Sequence, residues 1–199
     1  LLRGTPYIFQ GEELGMTNPG YNKIEEYWDV ESINYYHIML QEGKTEEEAL
    51  EVLRQRSRDN GRSPMQWNSG EYAGFSDREP WIGIPANHTF INVEDEEGDP
   101  DSILNYYRKL TALRKRYPII QEGMIEFLYE DQEEVFAYRR TRNGQELIVL
   151  NNFFGKEVTL QKELSHAGYR RLIGNYPQED SGTMLRTLRP YESIAFIKE

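Results

Sequence analysis

The spacing of apolar positions changes its period along the chain. Over residues 45–56, Ala49, Leu50 and Leu53 recur at helical spacing, and from about 101 to 116 Ile103, Leu104, Tyr107, Leu110 and Leu113 mark one face of an amphipathic helix. Thr45 followed three residues on by Glu48 is a capping-box signature for the first helix, and Asp101 and Ser102 are candidate caps for the second. Both end in cations that suit the helix dipole: Arg54 and Arg56 in one, Arg114, Lys115 and Arg116 in the other. Gly43 and Pro118 are stop signals. A further helical or partly helical stretch from Ile24 to about Leu40 carries Ile24, Tyr27, Trp28 and Ile33 among acids.

Beyond Pro118 the period falls to two. Ile125-Phe127-Tyr129, Val135-Ala137-Arg139 and Leu147-Val149-Asn151 alternate, with turns at Asp131-Gln132 and at Asn143-Gly144. Strands also fit about 157–160, 169–173, 184–187 and 192–198. This pattern predicts an antiparallel β domain over 119–199, preceded by a separate domain over 1–118.

Two stretches of the first domain carry candidate chemistry. Thr5–Gln10 is a short apolar run between Gly4 and Gly11, and predicts a buried parallel strand. Glu12 and Glu13 then lie just past its end, where α/β barrels keep their chemistry; closing a loop onto an arginine is the equal alternative. Ser57–Trp67 fits neither period. It holds Arg58, Arg62, Asp59, Asn60, Gln66 and Trp67, broken by Gly61 and Pro64, so it predicts an irregular loop. Guanidinium forks, a carboxylate and an indole are the groups that hold a sugar, and more often those of a structural loop tied by its own Arg–Asp pairs. Residues 68–98 have little periodicity and predict a long excursion with aromatic anchors; loops of that length in a compact domain are usually functional.

Composition narrows the partners. The net charge of −11 argues against nucleic acid or an anionic membrane surface, and does not favour an anionic substrate. With no cysteine there is neither a disulfide framework nor a thiolate metal site, in keeping with a cytoplasmic protein. His37, His88 and His166 show no ligand spacing, so no metal or cofactor is expected. No apolar run approaches a membrane span. The chain begins Leu-Leu-Arg-Gly and would enter a core strand at once, which is expected of a piece of a longer protein.

Taken in order, the segments resemble the α-glucosidases of glycoside hydrolase family 13. Thr5–Asn18 (TPYIFQGEELGMTN) resembles the eighth barrel strand and its loop. Ser57–Trp67 resembles that family's R-D-N-x-R-[TS]-P-M-Q-W segment. Ala73-Gly74-Phe75, Pro80-Trp81-Ile82 and Ile91-Asn92-Val93 follow in the family's order, Tyr106–Leu110 with Leu113-Arg114-Lys115 resembles the eighth barrel helix, and Leu188–Glu192 a closing strand of the C-terminal domain. The resemblance implies an α+β chain: the last β/α portion of a TIM (β/α)8 barrel followed by an antiparallel β-sandwich. Met16–Pro19, Tyr27–Ser32, Ser57–Asn60 and Glu79–Gly83 look closest to the branch that hydrolyses trehalose 6-phosphate; oligo-1,6-glucosidases and dextran glucosidases share most of these residues. Trp28 departs from the basic residue more usual before that aspartate.

The family implies a retaining mechanism. An aspartate attacks the anomeric carbon, a glutamic acid protonates the leaving oxygen, and the two carboxyls stand about 5 Å apart. In the family these groups, with a second aspartate, follow barrel strands four, five and seven. All three are therefore expected upstream of residue 1, and these residues alone are expected to be inactive. What remains is the substrate-holding part. The motif match makes Arg62 the first choice for contact with the non-reducing glucose and Arg58 the second, the alternative for Arg58 being to brace the loop through Asp59. Glu12 would line the aglycone side. Asp59, Asn60, Gln66 and Trp67 read as loop scaffold. The implied partner is a small oligosaccharide or a phosphorylated disaccharide.

Overall fold

The computed structural model describes residues 1–177 and 182–199. They form two compact units, Tyr7–Arg108 and, together, Leu1–Pro6 and Lys109–Glu199.

Helices α1 (Val30–Gln41) and α2 (Glu46–Arg56) dominate the first unit. Each starts where a side chain replaces the helix's missing acceptors. The Asp29 carboxylate accepts from the Ser32 amide at 3.0 Å and from its hydroxyl at 2.8 Å. Thr45 and Glu48 close the capping box reciprocally. Tyr36 and Met39 of α1 pack with Ala49, Leu50 and Leu53 of α2 and with Tyr21, Tyr27 and Ile82 into one core. The stretch from Ile24 breaks into a 3-10 turn, Ile24–Glu26, and then α1, because Asp29 starts a new helix.

The excursion 68–98 folds on local bonds. The Ala73 carbonyl accepts the amides of Trp67 and Asn68, at 2.8 and 3.1 Å. Tyr72 and Ala73 both sit in the left-handed region, at φ 51° and 54°, to make that turn. The acidic run after Asn92 is the first turn of a short helix, α3 (Val93–Gly98), which the absence of an apolar stripe had concealed. Its cap is Asn92, whose Oδ1 accepts the Asp95 amide at 2.9 Å, and three acids crowd the positive end of the dipole.

Residues 5–9 correct the expected buried strand. They form neither helix nor β-ladder, and Tyr7 is 91% exposed while Ile8 and Phe9 are also open to solvent. A parallel strand exists only through hydrogen bonds to its neighbours, and among the described residues no strand flanks this one.

Helix α4 (Ile103–Arg116) starts at Ser102, whose Oγ accepts the Asn105 amide at 3.2 Å; its apolar face is nowhere fully buried. In the second unit a short helix, α5 (Ile119–Glu122), follows Pro118 at a point where the sequence pattern indicated only a stop. The strands come in the expected order: β1 (Met124–Leu128), β2 (Val135–Arg142), β3 (Gln145–Asn152), β4 (Val158–Ser165), β5 (Arg170–Gly174), β6 (Met184–Leu188) and β7 (Ser193–Lys198). A five-stranded antiparallel sheet runs β1-β2-β3-β7-β5, and β4 pairs with β6 in a second sheet. Asn143 and Gly144, at φ 49° and 82°, make the two-residue β2–β3 hairpin.

Alternation supplies both faces of the large sheet. Val135, Ala137, Ile148, Leu150, Ile194 and Phe196 meet Val158, Leu160 and Leu188 of the small sheet, the sandwich core. Tyr138, Leu147, Val149, Ala195 and Ile197 face the other way and pack on Ile119 and Ile120 of α5. Buried Arg140 pins that helix, donating to the carbonyls of Ile119 and Gly123 at 3.1 and 2.9 Å.

Candidate functional site: an arginine clamp on a buried aspartate

The loop after α2 is organised by Asp59, which is fully buried. Ser57 ends α2 and starts a 3-10 turn, Arg58–Gly61, with its Oγ accepting the Asp59 amide at 3.2 Å. The turn points the Asp59 carboxylate at the start of α1. Its Oδ2 accepts the amides of Trp28 and Asp29 at 2.7 and 2.8 Å, and its Oδ1 accepts Arg62 Nη1 at 2.8 Å. The same Nη1 lies 3.6 Å from Asp29 Oδ1. Burial pushes the Asp29 carboxyl up, but the two Ser32 hydrogen bonds outweigh it, with help from Arg58 and Arg62, so it stays below its ordinary value. Ser32 Oγ also shares a hydrogen bond of 2.9 Å with Ser57 Oγ. Two buried carboxylates thus face one guanidinium.

Arg62 is held at one end and open at the other. Its side chain is 42% exposed, and among the described residues its Nε and Nη2 carry no hydrogen bond. A fork fixed by one nitrogen, with donors left over, can bind a hydroxyl pair or a carboxylate. Arg58 is placed differently from expectation. It pairs with Glu31 at 2.8 Å, both side chains largely in solvent, while Arg62 occupies Asp59.

The scaffold residues have structural partners. Asn60 Nδ2 caps the end of α2, donating to the carbonyls of Leu53 and Arg54 at 3.2 and 2.9 Å. Buried Gln66 donates its side-chain amide to the Ile91 carbonyl at 2.5 Å, and its backbone carbonyl accepts the Val93 amide. Trp67 ties the excursion through its backbone, to Ala73 and Glu94, and its indole stays half exposed.

Glu12 sits in a separate knot. Its Oε1 accepts the Tyr107 hydroxyl at 2.6 Å and its Oε2 the Phe9 amide at 3.2 Å. The Tyr107 bond chiefly holds its carboxyl below the ordinary value, while burial first, then the same bond, pushes Tyr107 up to about 12. Glu12 lines a hollow of about 350 Å³ with Phe9, Met16, Asn18, Asn60 and Ser63. The Ser63 hydroxyl and Asn60 Oδ1 are buried there without a partner among the described residues. Arg62 belongs to the clamp and does not line this hollow, so the three predicted contact residues occupy three settings.

Asp29, which anchors the clamp from the α1 side, escaped the residue-level reading. Its only sequence signal lay in the Tyr27–Ser32 match, because an N-cap aspartate and a ligand-facing one look alike in sequence. Among the described residues no group of three or more His, Cys, Asp or Glu is placed to hold a metal ion. No helix there is long and apolar enough to cross a membrane.

Residues 1–123 match the profile of the alpha amylase catalytic domain, and residues 125–194 that of the maltogenic amylase C-terminal domain. The probable oligo-1,6-glucosidase 2 of Bacillus subtilis is 42% identical over 199 residues, covering 98% of this chain and 35% of the relative. The trehalose-6-phosphate hydrolase of the same organism is 40% identical, with 98% and 36% covered. Among solved structures, Bacillus licheniformis trehalose-6-phosphate hydrolase superposes with a TM-score of 0.90 at 46% identity, over 98% of this chain and 36% of that one. The chain therefore spans about a third of the length of the relatives it matches.

Proposed function

The chain belongs to the alpha-amylase family, the end of its catalytic domain joined to an antiparallel β-sandwich domain, and on that premise we propose that it is part of a retaining α-glucosidase acting on small α-linked glucosides. These residues supply the substrate-holding side of the site. Arg62 contacts the non-reducing glucose, with Arg58 and Glu12 at its margins, and the carboxylates that cleave the bond come from outside the 199 residues. One observation carries this reading: a guanidinium fixed by the buried Asp59 with donors still directed to solvent. The carboxylates on hand support the division of labour. Asp59 and Asp29 are committed to amides and Ser32, and Glu12 to Tyr107 and Phe9. By themselves the 199 residues do not hydrolyse a glycoside.

The substrate we propose is trehalose 6-phosphate, giving glucose and glucose 6-phosphate. The trehalose-6-phosphate hydrolases among the relatives support it. An α-1,6-linked oligosaccharide is the second reading. The exposed indole of Trp28 favours it, standing where a basic residue is usual and offering no charge to a phosphate. The partner in either case is a small sugar. The test is kinetic, on the full natural gene product. We expect higher kcat/KM for trehalose 6-phosphate than for isomaltose, and a loss of about a hundredfold or more in Arg62→Ala, the scale of a charged transition-state contact. Preference for isomaltose overturns the substrate. An unchanged rate in Arg62→Ala returns that residue to scaffold.

A further inference from the structure

The Asp59 carboxylate that fixes Arg62 also fixes the backbone of Trp28. That side chain is not tucked into the core beside Tyr27. It stands 58% exposed and meets Trp81, itself 60% exposed, edge to face with ring centroids 6.2 Å apart at 84°. Trp81 immediately precedes Ile82, which is buried with Tyr21 and Tyr27 in the helix-pair core, so both indoles rise from anchored backbone. Two large aromatic side chains left in water beside each other is unusual for a surface that has no ligand, since each forgoes the burial that drives aromatics inward.

The geometry says what fits. An edge-to-face pair forms a right-angled corner, and one ring cannot cover both of its partner's faces. A pyranose presents a flat patch of C–H groups that packs on an indole face and keeps its hydroxyls outward. Among the described residues neither indole face is covered by a lysine or arginine in a cation–π contact, so the corner offers ring surface and not charge. The two oxygens of one buried carboxylate hold the arginine fork and the Trp28 backbone, so the fork and the corner are fixed in one frame.

Resting on the sugar-holding role of Arg62, we propose that Trp28 and Trp81 form an aromatic subsite that stacks the second ring of the substrate, the one next to the glucose held by Arg62. These residues thereby set the preference for a disaccharide over a single activated glucose.

The experiment compares two substrates on the full natural gene product: the disaccharide it turns over faster, trehalose 6-phosphate or isomaltose, and α-glucosyl fluoride, which has no second ring. In Trp28→Ala and in Trp81→Ala the KM for the disaccharide rises about tenfold, equivalent to roughly 1.4 kcal/mol of binding, and the values for the fluoride stay as they were. Trp28→Phe keeps most of the disaccharide binding, because a smaller ring still stacks. Arg62→Ala impairs both substrates. If both tryptophan variants leave the disaccharide KM unchanged, or shift the two substrates equally, the subsite is refuted while the role of Arg62 stands. If the unsubstituted protein turns over neither, the glucosidase reading falls and takes the subsite with it.

Discussion

Asp59 shows how a single side chain can serve fold and site together. A fully buried carboxylate is costly unless every lone pair facing the interior is used. Here the start of α1 and Arg62 use them, so the group that docks α1 on the loop also aims the arginine. Removing it strands two backbone amides and a guanidinium. Asp59→Ala should lower the unfolding free energy by roughly 3 kcal/mol or more, and Asp59→Asn by less, because an amide oxygen still accepts from Trp28 and Asp29. Denaturant midpoints for both variants check this; equal, small losses would mean that the carboxylate is not what holds the loop. The R-D-N-x-R motif marked Arg62 as the first contact candidate and Asp59 as scaffold, with Arg58 the arginine to brace the loop through Asp59. It did not reveal that Arg58 would turn outward to Glu31, since an arginine one residue before a carboxylate and another three residues after it both remain candidates until the turn's geometry chooses between them.

At the scale of elements, legibility followed locality. Helix α2 and its capping box involve residues three apart, so Thr45 and Glu48 announce it without help from the rest of the chain. Thr45→Ala should cost about 1 kcal/mol and lower the melting temperature followed by far-ultraviolet circular dichroism. No change would assign the helix start to packing alone. The strands of the sandwich were legible for a related reason: alternation marks a face to bury whichever strand lies beside it. Residues 5–9 had an equally good pattern and are not a strand, because a ladder is a relation between two segments. Helices α3 and α5 were missed from the opposite side. Both are too short to show a period, and both exist because of caps and neighbours: Asn92 for α3, and Arg140 with the large sheet for α5.

The molecule as a whole depends on tyrosines in both of its units. Burial first of all pushes Tyr21, Tyr27, Tyr107, Tyr138 and Tyr169 up from 10 to about 12. Each phenol holds its proton more tightly in the folded chain than in the unfolded one. Their contribution to stability is therefore complete below pH 10 and is lost as the pH rises through about 12. Titration should show tyrosinate absorbance from these five phenols rising toward pH 12, in a step that coincides with loss of the circular dichroism signal. A single step near pH 10 with secondary structure intact would show that burial does not protect these groups.

What the sequence determined by itself were the features that need only near neighbours: the helix starts, the hairpin at Asn143-Gly144, the alternating faces of the sandwich, and the order of segments that marks the alpha-amylase family. What only the tertiary structure decided were relations across the chain. It chose Arg62 over Arg58 for the Asp59 carboxylate, brought Asp29 and Trp28 to the same buried group from some thirty residues away, set Trp28 against Trp81, and left residues 5–9 without a ladder. The physical reason is common to all of them. A cap, a turn or a face is settled by backbone geometry over a few residues, whereas a buried carboxylate or a parallel strand is worth forming only when distant segments complete it.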